Sequence, residues 1–127
     1  MIKNFTEETE PLTEYEEKQL MPPIVRGLMT KRGKNNAVTN NAIVDGLRRN
    51  LNLSITSARV RKIINHIRIN DIVPCLIATS NGYYIADTEA ELREYEESLL
   101  GRESAIRQVR LSIARQRQSR FAPSLFQ

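Results

Sequence analysis

The chain has 127 residues, is 40% hydrophobic and 27% charged, and carries a formal net charge of +4. This size and composition predict one globular domain with extensions rather than a disordered chain. No apolar run approaches the roughly 20 residues of a membrane span, and the N-terminus lacks the apolar stretch of a signal peptide. The single cysteine, Cys75, cannot form an internal disulfide. Together these features predict a protein of the reducing cytoplasm.

Charge alternates in sign along the chain. Residues 1–21 contain two lysines and six glutamates, a net of −4, and residues 22–87 contain ten Lys or Arg and three Asp, a net of +7. Residues 88–101 contain one Arg and five Glu, a net of −4, and residues 102–127 contain six Arg and one Glu, a net of +5. Basic segments attract polyanions at long range, which favours a nucleic-acid partner. The alternative is a solvated basic surface without a ligand.

The N-terminal third predicts an acidic segment, a first core helix and a loop. Thr13 begins an acidic helical stretch within residues 1–21, and Pro22-Pro23 opens the next helix, since proline suits a first helical turn. Residues 31–36 form a basic, turn-rich loop, which is either a phosphate contact or only a connection. Ala37-Val38 is a candidate short strand that pairs with a later hairpin.

Two amphipathic helices follow. Thr39 is a plausible N-cap of the first, which runs to about Asn50, and Thr56 or Ser57 caps the second, which ends near Asn70. Apolar residues recur at helical spacing in both. They are Ile43, Val44, Leu47 and Leu51 in the first helix and Val60, Ile63, Ile64 and Ile67 in the second.

The segment from residue 73 to residue 87 predicts a β-hairpin. Two strand-like runs flank Asn81-Gly82, a pair that suits both central positions of a type I′ turn. A loop of these two residues places Ser80 opposite Tyr83 and Thr79 opposite Tyr84. Helix, helix, hairpin is the order of a winged helix-turn-helix, so residues 22–87 predict that domain within a mainly α, α+β chain.

The second helix of this pair is the candidate recognition helix, residues 57–69. With its apolar residues toward the core, the opposite face centres on Ala58, Lys62 and Asn65, and Arg61 lies on one flank. Arginine and lysine suit guanine and asparagine suits adenine in the major groove, and Ala58 is small enough for close approach to the bases. Ala58, Arg61, Lys62 and Asn65 are therefore the predicted base contacts. The predicted phosphate contacts are Lys31, Arg32, Lys34, Arg48, Arg49, Thr56, Ser57, Arg59, Arg68, Asn81, Tyr83 and Tyr84. The only histidine, His66, is expected at the surface.

Residues 88–120 predict one long helix. Thr88-Glu-Ala-Glu91 matches a capping box, and apolar residues then recur at heptad positions. This seam consists of Leu92, Tyr95, Leu99, Ile106, Val109 and Ile113, with Arg102 and Gln116 as its polar members. The seam either pairs with a second copy of the chain or packs back on the acidic N-terminal helix. Residues 121–127 are expected to form a flexible tail.

No arrangement typical of an enzyme is present. The chain has no glycine-rich phosphate loop and no set of nucleophile, base and orienting residue, and one His with one Cys cannot form a metal site. We therefore expect no catalysis, no cofactor, no bound metal and no small-molecule ligand.

Residues 63–74 (IINHIRINDIVP) and 77–85 (IATSNGYYI) resemble the small winged-helix proteins of bacteriophages and integrated mobile elements. The resemblance covers roughly residues 12–110 and implies binding of double-stranded DNA, with Arg61, Lys62 and Asn65 on the reading face. The predicted function is a phage or mobile-element transcriptional regulator that acts as a homodimer. The alternative is a protein-interaction or replication-accessory module, because winged helices also serve as scaffolds. The end of the chain, Ser124-Leu-Phe126, is similar to the end of a sliding-clamp-binding peptide, although Ala122-Pro123 departs from that motif.

Overall fold

The computed structural model describes residues 10–123. This part of the chain is mainly helical with a small two-stranded antiparallel sheet. Its elements are α1 (Met21–Leu28), α2 (Asn40–Leu51), α3 (Ser57–Ile69), β1 (Leu76–Thr79), β2 (Gly82–Ile85) and α4 (Glu89–Phe121). The chain divides into two compact units, Met1–Glu89 and Ala90–Gln127. The first nine residues of the acidic segment and the Ser124-Leu-Phe126 motif lie outside the described residues.

Within residues 10–123, no helix combines the length and the apolar content that crossing a bilayer requires.

The first helical stretch is continuous from residue 14 to residue 28, which corrects the prediction that Pro22-Pro23 opens a separate helix. A π-helical segment, Glu16–Leu20, leads directly into α1. The amide of Met21 donates to the carbonyl oxygen of Glu16, five residues back. A proline ring has no N–H and collides with the carbonyl four residues earlier, so this wider turn lets two successive prolines follow without breaking the helix.

Thr13 begins this stretch through a reciprocal capping box. The Thr13 Oγ1 accepts from the amide of Glu16 at 3.1 Å, and the Thr13 amide donates to Glu16 Oε1 at 2.8 Å. Two amide donors at the end of the helix are thereby satisfied.

The core lies between α1, the inner face of α3 and one face of the hairpin. The α3 residues that were predicted to face inward, Val60, Ile63, Ile64 and Ile67, are fully buried. Ile24 and Leu28 of α1 pack against the same core, and so does Leu20, which immediately precedes α1. The other buried residues of the core are Leu47, Val73, Leu76, Tyr83 and Ile85. The helical spacing read from the sequence therefore identifies the inward side of α3.

Short polar side chains begin α2 and α3. Thr39 Oγ1 accepts from the amide of Ala42, and Thr56 Oγ1 accepts from the amide of Arg59. Asn52, with a φ of 54°, ends α2, and the amide of Leu53 donates to the carbonyl of Leu47. This left-handed residue turns the chain between the two helices.

The predicted register of the hairpin was wrong: the turn lies one residue earlier, so each cross-strand partner is displaced by two residues. Ala78 pairs with Tyr83 and Thr79 with Gly82, so the two turn residues are Ser80 and Asn81. Asn81 does not have a positive φ, whereas Gly82 has a φ of 118°. Thr79 Oγ1 stabilises the turn by accepting from the amide of Asn81 and donating to the carbonyl of Gly82.

Gly82 is required by a close approach of the backbone at Val38. A Cβ at position 82 would lie 2.5 Å from the Val38 carbonyl oxygen. Val38 and Tyr83 exchange two backbone hydrogen bonds there, which is the predicted pairing of this stretch with the hairpin, reduced to a single bridge. Glycine is therefore needed at position 82 for the close contact with Val38, and not for a type I′ turn. This contact explains why the turn lies one residue earlier than predicted.

Helix α4 runs for 33 residues, and none of them is buried. Leu92 and Tyr95 are half-buried, whereas the later members of the seam are exposed. The exposed fraction is 39% at Leu99, 69% at Ile106, 63% at Val109 and 56% at Ile113. The apolar surface formed by Leu99, Ile106, Val109 and Ile113 is therefore not covered by other residues of the same unit.

Candidate nucleic-acid interface

The outward side of α3 and the hairpin enclose a groove of about 310 Å³. Arg61, Lys62, Asn65 and Arg68 line it from α3, and Ala78 and Tyr83 line it from the sheet. Arg61 and Asn65 are exposed, and Lys62 and Arg68 are half-buried. Three of the four predicted base-contact residues therefore share one concave surface.

A second groove, of about 270 Å³, adjoins the first, and the two share Arg61 and Tyr83. It is lined by Thr39, Asn40 and Asn41 at the start of α2 and by Thr79, Ser80 and Gly82 of the hairpin. The Tyr83 hydroxyl donates to Asn40 Oδ1 at 2.7 Å, which ties β2 to the first turn of α2. We call the two grooves together the α3–hairpin groove.

The electrostatics of the α3–hairpin groove favour an anion. Three cationic side chains and the N-terminal end of α2 face it, and such an end carries a partial positive charge. No carboxylate occurs among the described residues that line either part. The residues that line the groove therefore give it a net positive charge, which attracts a polyanion.

Arg59 does not join this surface, although the sequence predicts it as a phosphate contact. Its guanidinium forms a bidentate ion pair with Glu16, with Nε 2.7 Å from Oε2 and one terminal nitrogen 2.6 Å from Oε1. The terminal nitrogens also donate to the carbonyl oxygens of Glu10 and Pro11, each at 3.0 Å. Only 14% of the Arg59 side chain is exposed. Its donors serve the protein, so we remove Arg59 from the candidate DNA contacts.

Glu16 determines the position of Arg59, and reasoning from the sequence missed it. It is the one buried charged residue in the described part of the chain. The hydrogen bond from Arg59 holds the pKa of the Glu16 carboxyl below its ordinary value, against the opposing effect of burial, and bonds from Thr13 act in the same direction. The sequence does contain a signal for Glu16, because Thr13 and Glu16 have the spacing of a capping box.

Two further predicted contacts need correction. Ala58 is only 8% exposed, because the neighbouring Ser57 hydroxyl donates to Asn41 Oδ1 and the first turn of α2 lies over this side of α3. Tyr84 is 6% exposed and lies on the sheet face opposite to Tyr83, beside Ile77. Neither side chain is presented to a ligand, so neither remains in the candidate interface.

The other predicted phosphate contacts are dispersed. Arg32 and Asn81 are exposed in the segments at the hairpin, and Lys34 is exposed at the start of a short 3-10 helix, Lys34–Asn36. Thr56 caps α3, and Ser57 is engaged with Asn41, as described above.

Lys31 and the two arginines of α2 lie away from the α3–hairpin groove. Lys31 lines a separate apolar groove between α1 and α2. Arg48 forms an exposed ion pair of 3.0 Å with Asp45, and Arg49 follows it at the far end of α2.

Among residues 10–123, no three His, Cys, Asp or Glu side chains lie close enough together to hold a metal ion.

Comparison of the chain with protein-family models, with curated proteins and with solved structures gave no match.

Proposed function

We propose that this protein is a winged-helix protein that binds double-stranded DNA, reading the major groove with α3. The order of elements supports this: a helix, a segment that bridges to β2 at Arg32 and at Val38, two helices, then a hairpin. In a winged helix the second helix of the pair enters the DNA groove, and the hairpin beside it forms the wing.

The observation that carries the proposal is the convergence of Arg61, Lys62 and Asn65 on one groove wall beside the hairpin. Arg61 suits the O6 and N7 acceptors of guanine, and Asn65 suits the paired donor and acceptor of adenine. Lys62 lines the same wall and supplies a positive charge for guanine or for a phosphate.

The remaining contacts in the proposal are to the DNA backbone. Arg68 extends the α3 wall, and Arg32, Lys34 and the wing residue Asn81 are exposed in neighbouring loops. Phosphate contacts of this kind position a protein on the duplex without reading sequence, and they make affinity depend steeply on salt.

The first experiment is fluorescence anisotropy with a random duplex of about 30 base pairs, long enough for one domain and its flanks. We expect micromolar binding at about 50 mM salt that is greatly weakened at about 200 mM. An R61A/K62A double variant should bind at least tenfold more weakly, because it removes two groove cations.

The matched control is K18A/R26A, which removes the same charge from exposed positions near α1 and outside the α3–hairpin groove. It should bind like the parent. Equal weakening by both double variants would show that only net charge matters, and absence of binding at low salt would refute the proposal.

Within this proposal, the resemblance to phage and mobile-element proteins favours a transcriptional regulator in the bacterial cytoplasm. A preferred site obtained by selection from random duplexes would support that role. In such a site, Arg61→Ala should cost about 1–3 kcal/mol of binding free energy and relax preference at one base pair.

A further inference from the structure

The second unit offers a long apolar seam whose exposed part begins at Leu99. Leu99, Ile106, Val109 and Ile113 occupy heptad a and d positions of α4, and all are exposed. Isolated helices gain little stability from propensity alone and depend on packing of an apolar face. The seam therefore requires a partner with a complementary heptad face.

The charge on α4 is divided between its two halves. Residues 89–101 contain five Glu and one Arg, a net of −4, whereas residues 102–121 contain six Arg and one Glu, a net of +5. Two copies side by side in parallel would face acidic against acidic and basic against basic. Two copies in opposite directions place each acidic half against a basic half.

We propose that the protein forms a homodimer through an antiparallel coiled coil of two α4 helices. In this arrangement each a position faces a d position of the other copy. Leu99 then faces Val109 of the second copy and Tyr95 faces Ile113, so these four apolar residues meet one another on both sides of the axis, whereas Leu92 faces the polar Gln116. Arg102 faces Ile106 near the twofold axis, where Glu103 of the second copy lies within reach of its guanidinium.

The flanking e positions agree with this direction. Counting Leu92 as a, the e positions include Glu96, Glu103 and Arg110. Reversing one helix brings e positions against e positions, so Glu96 faces Arg110 of the second copy on both sides of the axis. Glu103 faces Glu103 of the second copy at the axis, where the Arg102 of each copy offsets these like charges. The g positions 98, 105, 112 and 119 are Ser, Ala, Ser and Ser, and these small side chains let the helices approach on that side.

A parallel dimer lacks these pairs. There a g position faces the e position of the following heptad, so Glu91 would face Glu96 and the remaining g partners would be uncharged. Helix α4 is about 50 Å long, and the antiparallel arrangement separates the N-terminal ends of the two helices by about 45 Å.

Disulfide capture in the full-length protein tests the direction. With Cys75→Ser as background, L99C and V109C variants are oxidised separately and as an equimolar mixture. We expect the linked dimer, at twice the 14.6 kDa of one chain, mainly in the mixture. Gln108→Cys, at an exposed position off the seam, is the control for random collision. Efficient linking of L99C to itself would establish a parallel dimer and overturn the proposal.

Charge reversal provides an independent test by sedimentation equilibrium. E96R alone and R110E alone should each weaken the dimer on the order of tenfold, because two opposite-charge contacts become like-charge contacts. The combined E96R/R110E variant should restore the dissociation constant to within about threefold of the parent. Absence of restoration would refute the register, and a parent protein that stays monomeric at 100 µM would refute the dimer. None of these outcomes depends on whether α3 binds DNA.

Discussion

The two sides of α3 carry neighbouring arginines in different surroundings. Arg59 is fixed by Glu16 and by two backbone carbonyls, whereas Arg61, two residues later, lines the α3–hairpin groove. The sequence around them gives both the same basic surroundings. The charge of an arginine in the sequence therefore does not show whether its guanidinium is held by a buried carboxylate, as at Arg59, or lines a surface groove, as at Arg61.

The largest effect expected from this contrast is on stability. Arg59→Ala should lower the free energy of unfolding by about 3–5 kcal/mol, because it leaves the buried Glu16 carboxylate without its partner. Lys62→Ala, on the groove side, should change it by less than about 1 kcal/mol. Urea unfolding followed by circular dichroism measures both. Similar losses in the two variants would remove the distinction between the two sides of α3.

The hairpin side of the groove is most sensitive at Gly82. Gly82→Ala should destabilise the fold by about 3 kcal/mol, since a Cβ meets the Val38 backbone and the positive φ is strained for other residues. Gly46→Ala is the control, because its Cβ would meet nothing within 4 Å in the middle of α2. That variant should gain about 1 kcal/mol. Thermal unfolding of the pair checks this, and a neutral Gly82→Ala would contradict the close approach.

The contribution of Glu16 to the free energy of unfolding should also depend on pH. Because folding lowers the pKa of Glu16 from 4.5, its stabilising contribution is complete above that pH and is lost as the pH falls through the folded value. Glu16→Gln should cost about 2 kcal/mol at neutral pH, and the cost should shrink below pH 4.5. Urea midpoints at a series of pH values measure the difference between the variant and the parent. A difference that does not change with pH would contradict the ionised pair.

The smallest effect expected is at the junction of β2 and α2. Tyr83→Phe removes the hydrogen bond to Asn40 Oδ1 and should cost about 1 kcal/mol. Tyr15→Phe, at a side chain that is 45% exposed, serves as the control and should be neutral. A comparable loss in both would show that the Tyr83 hydroxyl does not fix the groove.

Sequence reasoning succeeded where one local period decides the structure. The spacing of Val60, Ile63, Ile64 and Ile67 identified the buried side of α3, and Thr39 and Thr56 marked the starts of α2 and α3. These features depend on neighbours within about two helical turns, which the sequence displays directly.

The errors came from contacts between distant segments. The turn at Ser80-Asn81 depends on Val38, which lies more than 40 residues earlier, and Arg59 depends on Glu16, which is 43 residues away. An Asn-Gly pair indicates a turn on local grounds, but a third segment against Gly82 changed which residues form it. The α3–hairpin groove shows both effects. The helical spacing of α3 predicts one wall, whereas the position of the hairpin, which forms the other wall, depends on contacts between distant segments.

The π-helical segment Glu16–Leu20 also sets the angular phase of everything before it. Each residue of a wider turn rotates the chain less than a residue of an α-helix does, and the side chains of Glu16, Leu20, Ile24 and Leu28 are all buried. Deleting one residue there would turn the preceding segment relative to α1, by less than the roughly 100° that one α-helical residue contributes. Thr13 and Glu16 would then face away from Arg59, although neither would have been substituted.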